Sequence, residues 1–343
     1  MTNLEGDDAA VEQHLAATAP LAWIRAIPLY ASVVTWWKTA ALASWMKNGH
    51  RFSRPITFSA PCADQRVIAW VITIQQKGSF AHGIFLGKIP YAKSGTGPKK
   101  AVIFPGSMDL ILSLALDPRK AVKQYEASFP PDYTFYILGY DRNLPASTTL
   151  DSITQDFGTI IEKEVGKATI IGRSYGGFVA LRFAHLFPHL VERVVLLSSA
   201  WGLSDTGKVF AKNLSDALEK EDFSKAIDEL AGLFTSKAWR ILVRVAMAFM
   251  KRKIIKTRNP GSTLVNAYAA LLNSPIEPEK LLPGIKAPTI IIGGTRDKVF
   301  SEAIYRQTAS LIPGCKLHLF EGAGHMMETV GEKKVLSTLL PYL

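Results

Sequence analysis

A chain of 343 residues, 48% hydrophobic and 20% charged, holds enough apolar mass for a large packed core and is too hydrophobic to stay disordered. Two cysteines, Cys62 and Cys315, are too few for a disulfide framework or a cysteine-built metal cluster, and they fit a reducing compartment. The net charge of +11 points to an anionic partner without naming one.

Residues 1–12 carry Glu5, Asp7, Asp8 and Glu12 and no base, which reads as a short acidic tail. This acidic start is the opposite of a secretory signal, so a cytoplasmic protein is expected. Residues 26–46 follow. Pro28 and Lys38 interrupt them, and the uncharged piece from Ala26 to Trp37 is too short to cross about 30 Å of hydrocarbon. On a helix, Tyr30, Val33, Val34, Trp37, Ala41 and Trp45 share one face. Ser32, Thr35 and Thr39 fall opposite, but Trp36, Ala43 and Met46 lie among them, so the amphipathicity is partial. The expectation is a helix packed on the domain that follows; attachment to a membrane interface and a true span are the alternatives. Residues 1–49 are thus read as an acidic tail and an amphipathic helix.

After Gly49, apolar and β-rich runs recur at 55–59, 67–75, 101–104, 134–138, 168–171, 193–197, 289–292 and 316–320. The first two are close enough to pair as a hairpin. From Ala101 onward the runs alternate with helix-compatible stretches, which predicts βαβ units and a mostly parallel sheet with flanking helices. Ala101-Val102-Ile103-Phe104 is continuously apolar, as a strand covered on both faces should be. The alternation breaks between Leu197 and Thr289. Four helices are predicted there, over 208–220, 223–234, 238–255 and 262–272, with no strand among them. This gives a core of residues 50–200 and 283–343 and an all-helical cap, 201–282, inserted between strands 6 and 7. Within that cap, the stretch from Lys237 to Arg258 holds eight bases and no acid.

Ligands in such sheets bind at the carboxyl ends of strands, and three loops at strand ends carry chemistry. Gly172-Arg173-Ser174-Tyr175-Gly176 joins the run 168–171 to a helix-forming stretch, which is the strand–serine–helix turn G-x-S-x-G. Five such positions recur by chance, and the placement is what makes the pattern informative. Gly293-Gly294-Thr295-Arg296-Asp297 follows the run 289–292, and Glu321-Gly322-Ala323-Gly324-His325 follows the run 316–320. A serine hydroxyl needs a base and the base needs an orienting acid, in chain order Ser, Asp, His for this architecture. Singly, an Asp in such a loop is usually a turn former and a loop His is usually solvated. Jointly, in this order, they read as nucleophile Ser174, acid Asp297 and base His325, with Asp205 as the rival acid.

These motifs resemble the α/β-hydrolase superfamily, specifically its serine-nucleophile, capped, esterase- and lipase-like branch, from about Pro55 to the C-terminus. The resemblance implies an α/β-hydrolase fold and assigns those three roles to Ser174, Asp297 and His325. Family members often carry His-Gly after the third strand; this chain has Phe104-Pro105-Gly106-Ser107. Oxyanion donors are then expected from the amides of Ser107 and Tyr175. A serine nucleophile disfavours the branches that use a carboxylate. No metal cluster or nucleotide fingerprint stands out, so no cofactor and no nucleic-acid partner is implied.

The resulting expectation is a hydrolase of carboxylic esters or thioesters acting through an acyl-enzyme. Carbon–carbon bond hydrolysis or lysis, amide hydrolysis and a non-catalytic binding role on the same scaffold are the alternatives. The expected partner is a small acyl substrate, with possible peripheral contact to an anionic membrane. That contact is drawn from the predicted helix 238–255. Arg240, Arg244 and Lys251 fall on one side, and Trp239, Leu242, Val243, Ala246 and Met250 gather on another.

Overall fold

The computed structural model describes residues 79–273, 276–327 and 332–343. The acidic tail, the Trp-rich segment and the runs 55–59 and 67–75 lie outside them. A hairpin of β1 (Ala81–Phe85) and β2 (Ile89–Gly95) opens the described chain. It turns through Leu86 and Gly87, at φ of 51° and 68°, and Lys88 N–H donates to Phe85 O at 3.0 Å. Glycine takes that conformation freely, whereas Leu86 is strained by it.

Six further strands follow: β3 (Lys99–Phe104), β4 (Tyr133–Leu138), β5 (Ala168–Arg173), β6 (Val191–Leu197), β7 (Thr289–Gly294) and β8 (Lys316–Phe320). The eight form one sheet in the order β1-β2-β4-β3-β5-β6-β7-β8. β2 pairs with β4 antiparallel, and every neighbouring pair from β4 to β8 is parallel. All six residues of β4 and of β7 are buried, while β1 and β8 alternate half-buried and exposed positions. Central strands are covered on both faces and edge strands on one, which is why only the former read as unbroken apolar runs.

The crossover helices are α1 (Ser107–Ile111), α2 (Pro118–Tyr125), α3 (Leu150–Ile160) and α4 (Tyr175–Leu186). Thr149 caps α3: its Oγ1 accepts from Ser152 N–H at 3.0 Å, and Ser152 Oγ accepts from Thr149 N–H at 3.1 Å. Between β6 and β7 come α5 (Asp205–Glu219), α6 (Phe223–Gly232), α7 (Lys237–Thr257), α8 (Gly261–Asn273) and the single turn α9 (Pro278–Leu281). Among the described residues this insert contains no strand. Its helices agree closely with the sequence reading, and the largest difference is that α5 starts at Asp205 because Ser204 caps it, accepting from Gly207 N–H at 2.9 Å. α5 packs on α6 and α8, and α6 packs on α7. Helices α10 (Glu302–Leu311) and α11 (Glu332–Leu339) complete the chain. No helix of the described residues is long and apolar enough to cross a membrane.

Candidate active site

From β3 the chain crosses to β4 on one side; β5 then pairs on the other side of β3. The connections therefore diverge at the carboxyl ends of β3 and β5 and leave a crevice there. Gly106 leaves β3 and Ser174 leaves β5 at that point. A Cβ built on Gly106 would lie 3.2 Å from Ser174 Cβ.

Ser174 has φ 48° and ψ −118°, a region a non-glycine residue occupies at a cost of about 1–3 kcal/mol. Its backbone is held from both sides. Ser174 N–H donates to Leu197 O at 3.0 Å, and Ser174 O accepts from Gly177 N–H at 2.9 Å and from Ser199 Oγ at 2.7 Å. The flanking glycines are a packing requirement: a Cβ on Gly176 would meet Phe104 O at 2.0 Å, and one on Gly177 would meet Ser199 Oγ at 1.9 Å. Ser174 sits at the N-cap of α4, yet its hydroxyl makes no capping bond. It lies 3.0 Å from His325 Nε2 instead.

The His325 ring reaches the serine because its loop is tied to the loop after β7. Arg296 N–H donates to Ala323 O at 2.8 Å, and Gly322 N–H donates to Thr295 Oγ1 at 2.9 Å. His325 Nδ1 is 2.9 Å from Asp297 Oδ2. Asp297 is saturated with donors: Oδ1 accepts from the amides of Val299 and Phe300 at 2.8 and 3.1 Å, and Oδ2 also accepts from Tyr305 Oη at 2.8 Å. Burial pushes the Asp297 carboxyl up, but the His325 charge and these hydrogen bonds outweigh it, so its pKa falls below the ordinary value. An ionised Asp297 fixes the proton on Nδ1 and leaves Nε2 as acceptor for the Ser174 hydroxyl. Phe300 stacks on the imidazole at 5.7 Å between ring centroids.

Ser107 and Tyr175 are the first residues of α1 and α4, so their amides are among the donors each helix leaves unpaired. Both side chains run to α8 in the insert. Ser107 Oγ lies 2.7 Å from Tyr268 Oη, and Tyr175 Oη donates to Ala267 O at 2.9 Å. Tyr140 Oη donates to Pro105 O at 2.7 Å, so hydroxyls hold the residues on both sides of Gly106. Burial raises all three phenol pKa values, that of Tyr268 to about 12, so each stays a neutral hydroxyl. Nearby on α1, burial pushes the Asp109 carboxyl up to about 7, and the Arg173 charge offsets only part of this.

Asp205 stands apart from this cluster, almost fully exposed at the start of α5 and paired with Lys208. His185 contacts Leu281 O and His189 faces Glu162, both away from the serine. Sequence reasoning did not single out Tyr305, Tyr268 or Tyr140; each is an ordinary helix or strand-end tyrosine until the fold brings it to its partner. Among the described residues, no group of three or more His, Cys, Asp or Glu side chains is placed to hold a metal ion.

A model of the α/β hydrolase fold family matches residues 138–328, more than half of the chain. An uncharacterised protein of Mycobacterium tuberculosis is 25% identical over 178 residues, 47% of this chain and 51% of that one. The chain thus spans about half the length of that relative. A pimeloyl-[acyl-carrier protein] methyl ester esterase of Nitrosomonas europaea is 27% identical over 188 residues, 51% of this chain and 71% of that one. Among solved structures, MGS-M2, an α/β hydrolase enzyme from a Medee basin deep-sea metagenome, aligns with a TM-score of 0.64 at 18% identity. It covers 76% of this chain and 96% of its own, and at that identity the likeness bears on the fold alone. The sheet order, the strained serine turn and the family match lead to one assignment: the chain belongs to the α/β-hydrolase family.

Proposed function

We propose that the protein is a serine hydrolase that cleaves a carboxylic ester or thioester through an acyl-enzyme. The observation that carries this is the continuous line from Asp297 Oδ2 through the His325 ring to Ser174 Oγ, with contacts of 2.9 and 3.0 Å. The Ser174 oxygen attacks the acyl carbon as its proton passes to His325 Nε2, and Asp297 stabilises the imidazolium that forms. The carbonyl oxygen becomes an oxyanion between the amides of Ser107 and Tyr175, each at a helix start, where losing one donor typically costs about 3–4 kcal/mol of barrier. His325 returns the proton to the leaving alcohol or thiol. Water, deprotonated by His325, then attacks the acyl-serine; His325 returns that proton to Ser174 Oγ as the acyl–oxygen bond breaks, and the acid departs.

The helical insert 201–282 acts as the cap in this reading. Its α8 reaches both oxyanion residues, and the similarity to the Nitrosomonas methyl ester esterase supports an ester substrate. The test is a panel of p-nitrophenyl esters from acetate to dodecanoate, run on the parent and on Ser174→Ala. The variant should lose about 10³-fold or more in kcat while its circular dichroism stays unchanged. Equal turnover by the two proteins would remove the assignment.

A further inference from the structure

The apolar residues of α7 fall on two faces. Trp239, Val243 and Met247 are buried, each at most 9% exposed. Ile241, Val245 and Phe249 follow one another at four-residue spacing on the outer face, exposed by 61%, 48% and 87%. The grouping read from sequence periodicity, Trp239, Leu242, Val243, Ala246 and Met250, shares Trp239 and Val243 with the buried face and no residue with this stripe. An exposed row of this kind, carried by a helix whose inner face is already packed, marks a surface that meets an apolar partner.

The charge around the stripe narrows the partner. No acid lies between Lys237 and Arg258. Arg244 is paired with Asp228, Arg258 with Glu221, and Arg240 Nε donates to Phe234 O. Among the described residues, no ion pair engages Lys237, Lys251 or Arg252. A second copy of this chain would bring an equally basic face, so the complement is anionic. Ile241 and Val245 offer a nucleic acid no hydrogen bond and no ring to stack on, whereas a bilayer accepts both together with Phe249.

Both ends of α7 are anchored beside the site. Thr235, just before it, packs on Gly324 next to His325, where an added Cβ would meet Thr235 Cγ2 at 2.6 Å. Asn259, just after it, donates from N–H to Ile111 O at 2.8 Å and from Nδ2 to Leu110 O at 3.1 Å on α1. A helix about 30 Å long therefore runs from the His325 loop to the helix that follows Gly106.

We propose that the outer face of α7 docks on an anionic phospholipid bilayer. Ile241, Val245 and Phe249 enter the acyl boundary, and Lys237, Lys251 and Arg252 meet the headgroups. Docking there brings the rim of the site to the lipid surface. The test is flotation of the full chain with vesicles of phosphatidylcholine, alone or with one third phosphatidylglycerol. The protein should bind the mixed vesicles at low salt and bind the neutral ones about tenfold more weakly, and raised salt should release it. Ile241→Ser/Val245→Ser/Phe249→Ser should weaken binding about tenfold or more, and Lys251→Glu/Arg252→Glu should weaken it similarly. None of these residues contacts Ser174, His325 or Asp297, so p-nitrophenyl acetate turnover should stay within about twofold of the parent. Because vesicle binding is read without turnover, its failure leaves the hydrolase reading untouched. Three results would overturn the proposal: no binding to mixed vesicles, full binding by the serine-substituted stripe, or a concentration-dependent dimer dissolved by those same substitutions.

Discussion

Asp297 is the residue on which the His325 geometry turns. Two amides, one tyrosine hydroxyl and the imidazole surround its two oxygens, so little freedom is left for either ring or carboxylate. Asp297→Asn keeps the size but offers Nδ1 an amide in place of a charged acceptor, and the ring can then protonate on the wrong nitrogen. Under the proposed mechanism kcat should fall by about 10³–10⁴-fold, whereas Asp205→Asn should leave kcat unchanged because that side chain is solvated at the start of α5. Steady-state kinetics on both variants checks this, and reversed effects would contradict the acid's placement. Ser174, Asp297 and His325 were legible in the sequence because each stands just past an apolar run, in the order this architecture requires. Tyr305 was not, since only the packing of α10 against β7 aims its hydroxyl at Asp297.

The elements differ in how openly they announce themselves. β3 to β7 read directly as apolar runs because helices cover both their faces. β1 and β2 went unseen because His82, Gly83, Lys93 and Ser94 break their hydrophobic pattern. The insert was legible as helices but not in its links to the site. α8 holds Ser107 through Tyr268 and touches Tyr175 through a backbone carbonyl, so it fixes where the proposed oxyanion donors point. Tyr268→Phe removes only the hydroxyl and leaves the buried ring in place. It should lower kcat about tenfold with little change in KM, since the lost positioning matters most when the oxyanion forms. A rise in KM at constant kcat would instead make Tyr268 a ground-state binding residue.

At the scale of the whole molecule, burial of Asp109 ties stability to pH. Its folded-state pKa of about 7 lies above the ordinary 3.8, so the folded state binds the proton more tightly than the unfolded chain. The resulting stability is fully present below about pH 4 and is lost as pH rises through about 7. Asp109→Asn should therefore gain on the parent between pH 4 and pH 8, by at most about 4 kcal/mol, and urea midpoints across that range measure it. A constant difference between the two proteins at every pH would contradict the burial of that carboxyl. The central claim, that Ser174 is a nucleophile activated by His325, has a more direct test. After reaction with a fluorophosphonate, intact-protein and peptide mass spectrometry should show one phosphonyl adduct, on the peptide containing Ser174, and none in Ser174→Ala. An adduct on another residue, or none on the folded parent protein, would contradict the account.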